Sequence, residues 1–152
     1  MTVLMVASSA AIIVRVQSIE GQFTDLAIAA RSVVAATRQL ESGVFGYALS
    51  VRTYFDNHEA ASRQDALAYA AEIDRHLREY DRLAMTDSQR EIGSRFSSQW
   101  QQFKQFGQSL LADESPRLTA EHSIRLYDLG KELERLLNDE MQANAVAGFD
   151  TR

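Results

Sequence analysis

Three arginines offer the clearest opening for chemistry. Arg31, Arg38 and Arg52 fall on one heptad position of an apolar repeat, with Phe45 completing the row. On a helix, such a row projects to one side, one member every heptad, about 10 Å apart. A guanidinium donates two parallel hydrogen bonds to a carboxylate, so the row suits a small anionic ligand. A solvated face with weak surface pairs is the other reading of the same residues. Glu72, His76 and Glu79 share one face at i, i+4 and i+7, a spacing open to a metal. The Glu-x-x-His pair of di-iron bundles does not occur, and the three histidines lie on separate segments. A row of surface ion pairs with Arg75, Arg78 and Arg82 explains that face better. We therefore expect no metal and no cofactor. Glycine-rich phosphate loops and nucleophile elbows are missing, so no residue is assigned as catalytic.

The elements that carry these residues are helical. From Ile19, steps of four and three give Phe23, Leu26, Ala30, Val33, Thr37, Leu40, Val44, Tyr47, Val51 and Tyr54, and Thr37 is the only polar member. This is a heptad seam. It predicts one helix over Ser18 to Tyr54, about 55 Å long, ending near Asp56-Asn57. Small residues flank the seam at Ala29, Ala36, Gly43 and Ser50. They fit either a dimerising helix or one set deep in its own bundle.

A second helix is expected from Glu59 to Ala84, with the seam Ala66, Ala70, Ile73, Leu77, Tyr80 and Ala84. Thr86 followed by Gln89 is a capping-box signature for a third. That helix carries Ile92, Phe96, Trp100, Phe103, Phe106 and Leu110, a row read as core. Pro116 marks the next break. A fourth helix starts near Thr119, places Leu126, Leu129, Leu133 and Leu136 inward with Leu137 and Met141 beside them, and ends near Gly148. Four amphipathic helices with short connections make an all-α, up-down-up-down four-helix bundle with a long first helix.

Composition agrees. A chain of 152 residues fits one domain and buries about 70% of its unfolded surface. The absence of Cys excludes disulfide frameworks and thiolate zinc sites. A single Pro and seven Gly disfavour a turn-rich β-sandwich. With a net charge of −5 there is no footprint for nucleic acid.

The amino-terminal stretch is unusual. Val3 to Val14 holds no charge and Arg15 closes it. A bilayer needs about 20 such residues. The helical phase nonetheless runs backward through Val16, Ile12, Ser9 and Met5. Residues 1–14 thus read as the outer end of a membrane helix cut short, and 15–152 as the bundle. An apolar helix end packed on a partner, or a fraying tail, is the plainer alternative.

Gly46-Tyr47-Ala48-Leu49-Ser50 is similar to the Gly-aromatic-Leu-Leu-Thr stretch closing the first helix of extracytoplasmic four-helix-bundle sensor domains. These belong to bacterial sensor histidine kinases and chemoreceptors, including the CHASE type. Asp87-Ser88-Gln89-Arg90 leading to Trp100 resembles the Asp-x-x-Gln start and mid-helix Trp of their third helix. Where the family commonly continues with Gly-Asp or Gly-Asn, Val51 and Arg52 stand here. The resemblance implies a periplasmic, homodimeric module of an inner-membrane two-component sensor histidine kinase, with a chemoreceptor as the alternative. Flanking helices would hold it to the membrane, and a small anionic ligand or a periplasmic partner would be sensed. In some such receptors, first-helix arginines hold a ligand carboxylate at the dimer interface, the role the resemblance suggests for Arg31, Arg38 and Arg52. A soluble helical interaction scaffold is the competing expectation.

Overall fold

The computed structural model describes residues 2–84, 86–112 and 118–147, with burial given from Asp25 onward except at Leu26 and 145–147. Four rods form the expected up-down bundle: α1 (Thr2–Asn57), α2 (Ala60–Leu83), α3 (Asp87–Leu111) and a fourth rod. That last rod has three parts, namely α4 (Ala120–Arg135), a π turn (Leu136–Met141) and α5 (Gln142–Ala147). Its expected end at Gly148 lies outside the described residues.

Helix α1 is unbroken and longer than its seam suggests, because the apolar run from Thr2 joins it without a turn. Its inward line is Val33, Ala36, Leu40, Val44, Tyr47 and Val51, all buried, with Thr37 satisfied by donating to the Val33 carbonyl at 2.9 Å. At the end the line departs from strict heptad spacing. Phe55 is buried and the expected Tyr54 only partly so. Helix α1 then closes at His58, whose positive φ of 54° forms a left-handed cap, its N–H reaching the Tyr54 carbonyl at 2.7 Å. Asn57 Oδ1 accepts the Glu59 N–H at 3.0 Å and so organises the turn into α2.

Local chemistry sets the other starts. The Thr86 hydroxyl accepts the Gln89 N–H at 3.1 Å, while the Gln89 side chain accepts the Thr86 N–H at 3.3 Å. Both halves of the capping box are present. Thr119 caps α4 by accepting the His122 N–H at 3.1 Å.

The small residues beside the α1 seam are used inside this bundle. A Cβ on Gly43 would stand 2.7 Å from Ile73, and one on Gly46 would stand 2.5 Å from the Tyr69 ring. Helix α2 therefore rides against the backbone of α1. Ala36, Gly43 and Ser50 are all buried there, which favours the deep-helix explanation of that row.

At mid-height the core is aromatic. Tyr47 meets Trp100 edge-on at 5.1 Å and Phe103 at 5.4 Å, and its hydroxyl donates to the Lys104 carbonyl at 3.1 Å. Asp74 of α2 accepts from the Trp100 indole and from Lys104 Nζ, each at 2.8 Å. Each polar tip in this layer has a partner, as buried polar groups require.

Candidate functional site

The candidate site is an open groove of about 1010 Å³ between α1 and the fourth rod. Val44 and Ala48 of α1, with Leu126, Gly130 and Leu137 opposite, give it an apolar floor. Gly130 keeps the far wall low, since the nearest atom a Cβ there would meet is Phe103 Cζ at 3.8 Å. Phe45 (71% exposed), Leu49 and Tyr127 (66% exposed) stand along the rims. Large apolar side chains left in water beside a groove mark a surface that can gain by being covered.

Charge is distributed along the rims. Arg38, Glu41, Arg52 and Asp56 come from α1, and Lys131 and Glu134 from α4. Glu41 accepts from Gln142 at 3.5 Å, and Lys131 lies 6.0 Å from the Tyr127 ring centre. Among the described residues, Arg38 and Arg52 have no ion pair. They stand two heptads apart along α1, about 20 Å, and both line the groove. Such an arrangement can hold carboxylates without first breaking an internal salt bridge.

The arginine row is thus divided. Arg38, Phe45 and Arg52 line the groove, whereas Arg31 is exposed outside it. Tyr127, Lys131 and Glu134 belong to the site and were not legible as site residues. Their only signal was Ile124 and Tyr127, which are apolar yet lie off the leucine stripe of α4.

Among the described residues, the titratable groups most displaced from their ordinary values lie outside the groove lining. Burial pushes the Tyr47 hydroxyl well above its usual range, and burial together with the charge of Asp81 pushes Tyr80 up to about 12. Both are core phenols. Glu132 and Glu140 are held below the usual carboxylate range, chiefly by hydrogen bonds from Arg135. Those groups form a surface cluster with Arg95, away from the groove's apolar floor. Among the described residues, no three metal-ligating side chains gather. His76 is instead buried, accepting from Arg75 at 3.2 Å with Nδ1 3.5 Å from Glu79. The ion-pair row expected there is otherwise not formed, since Arg82 Nε donates to the Arg78 carbonyl at 3.3 Å instead.

Comparisons with protein-family models, with curated proteins and with solved structures found no match for this chain. Among the described residues, no helix is long and apolar enough to cross a membrane.

Proposed function

We propose that this chain is a helical binding module, a four-helix bundle that takes a small anionic ligand along the α1–α4 groove. The observation that carries this reading is the pair Arg38 and Arg52, without ion-pair partners, above an open apolar floor. A thermal-shift screen against amino acids, organic acids and other small anions tests it. A ligand at a hundred times its dissociation constant stabilises by about 2.7 kcal/mol. For a domain of this size that raises the melting temperature by roughly 5–10 °C. Because about 20 Å of helix separates the two arginines, a small anion seats on one of them: either Arg38→Ala or Arg52→Ala should abolish the shift, and Arg31→Ala should leave it intact. A shift that survives both groove substitutions refutes the assignment.

A second reading, favoured by the continuity of α1, places the module in a membrane-bound sensor. The apolar run and the bundle share one rod from Thr2 to Asn57, so displacement at either end is carried to the other. In that setting the module would be periplasmic and dimeric, and its output a histidine kinase or a chemoreceptor domain. A second apolar run of about 20 residues following Arg152 in the parent gene is the expected companion. If the parent gene encodes no such run, this second reading falls and the binding module stands alone.

A further inference from the structure

The spacing Leu126, Leu129, Leu133, Leu136 of the fourth rod, continued strictly, brings Glu140 to the next inward place. The structure buries Met141 there instead. The π turn is responsible. Between Leu136 and Met141 the backbone holds one residue more than an α-helix would, and the Gln142 N–H reaches the Leu137 carbonyl five residues back. Everything beyond the turn is set one residue late.

Glu140, kept out of the core, is gripped from two sides. Arg95 of α3 donates to its carboxylate at 2.6 and 3.2 Å, and Arg135 donates at 2.8 Å. Past the turn, Asn144 is fixed to the start of α3. Its Oδ1 accepts from the Ser88 hydroxyl at 2.9 Å, and its carbonyl accepts from the Gln89 amide at 3.4 Å.

We propose that the π turn is a one-residue register switch, latched by Glu140, that sets the rotation of the end of the fourth rod. In the π register, Met141 is inward, Glu140 lies in its arginine grip, and Asn144 faces Ser88. In the α register the extra residue is absorbed. Glu140 then enters the place of Met141, Ala143 takes the place of Asn144, and the chain beyond turns by about 100°. Burying a carboxylate is strongly unfavourable. The charge at position 140 therefore selects the π register, and losing it frees the turn. The device stands whether or not the groove binds anything.

Cross-linking reads the register directly, because the chain has no cysteine of its own. Ser88→Cys with Asn144→Cys reports the π register, and Ser88→Cys with Ala143→Cys reports the α register. In the otherwise unchanged chain the first pair should oxidise faster by roughly tenfold or more. Adding Glu140→Leu supplies an apolar side chain for the inward place and removes the latch. The rate ratio should then fall by about tenfold or invert. A ratio unchanged within about twofold, in a variant that circular dichroism shows to be helical, overturns the proposal.

If Glu140→Leu does not fold, deletion of the exposed Asn138 decides. Removing the extra residue straightens the helix while Met141 and Asn144 keep their places. The melting temperature should hold or rise, and the Asn144 pair should remain the faster one. Deletion of Asp128, within regular α4, should lower the melting temperature sharply. Equal damage from the two deletions overturns the switch.

Discussion

Gly107→Ala tests a close approach of helix and ring in the core. Gly107 lies on α3 against Tyr47, and an added Cβ would stand 2.9 Å from Tyr47 Cζ and closer still to the hydroxyl. Tyr47 is fully buried between Trp100 and Phe103, so it has nowhere to retreat. Overpacking of this kind costs about 1–3 kcal/mol. Displacing the ring also strains or breaks the hydrogen bond to the Lys104 carbonyl, worth about 1 kcal/mol. Alanine returns about 1 kcal/mol in helix propensity. The balance is a loss of roughly 1–3 kcal/mol. It should appear as a melting temperature lower by about 3–10 °C in calorimetry. Tyr47→Phe removes the atom nearest the new methyl, so the double variant should recover about 1 kcal/mol relative to additivity. A Gly107→Ala protein that melts higher than the parent, or a strictly additive double variant, would refute this account of the packing.

Three further outcomes follow from the polar groups. The folded value of Tyr80 lies near 12, above the 10.0 of a free phenol, so folding is fully favoured below pH 10. That advantage, roughly 3 kcal/mol, should vanish as pH rises from 10 to 12; because Tyr47 is raised as well, the difference in denaturant midpoint between the parent and Tyr80→Phe across that range would show it. Glu132 and Glu140 lie below 4.5, so their contribution is present above that pH and should disappear as pH falls through their folded values. Glu132→Gln with Glu140→Gln should flatten the acid limb of a stability–pH curve, and an unchanged limb counts against the cluster. Thr86→Ala removes the capping hydroxyl of α3 and should cost about 1 kcal/mol in urea denaturation.

Much of the bundle was legible because burial in a helix is periodic. Ile73, Trp100 and Leu133 are inward for the same reason that Leu40 is: each falls on a stripe that a 3.6-residue turn keeps on one side. The capping box at Thr86 and the helix start near Thr119 were legible because their signal is local. The groove was only half so. Periodicity reports the inward face of one helix at a time, whereas Arg52 and Lys131 come to line one groove through the packing of two rods. The π turn was hidden because a constant period is assumed in reading a stripe. Its trace was Met141 arriving one residue after the place that Leu136 dictates. Phe55 replacing Tyr54 is a milder case, since a straight helix drifts about 20° per heptad.

The two sides of α1 are built for different tasks. Toward α2, Gly43 and Gly46 bring the backbones close, and Ile73 and Tyr69 leave no room for adjustment. Toward the fourth rod, the Ala48–Gly130 floor leaves the open groove. A close-packed interface resists sliding, and an open one permits it. A ligand that acts on the bundle from this groove would therefore change the spacing of α1 and the fourth rod and leave the α1–α2 pair as a fixed frame. It can shift that spacing only by the difference in its affinity for the two arrangements. An anion that bridges Arg52 to Lys131 has such a difference, because one cation lies on each rod. An anion held by Arg38 or Arg52 alone touches a single helix, and its charge contacts would be equal in either arrangement. Ligands that reach Lys131 should thus change the bundle, and those that do not should only occupy it.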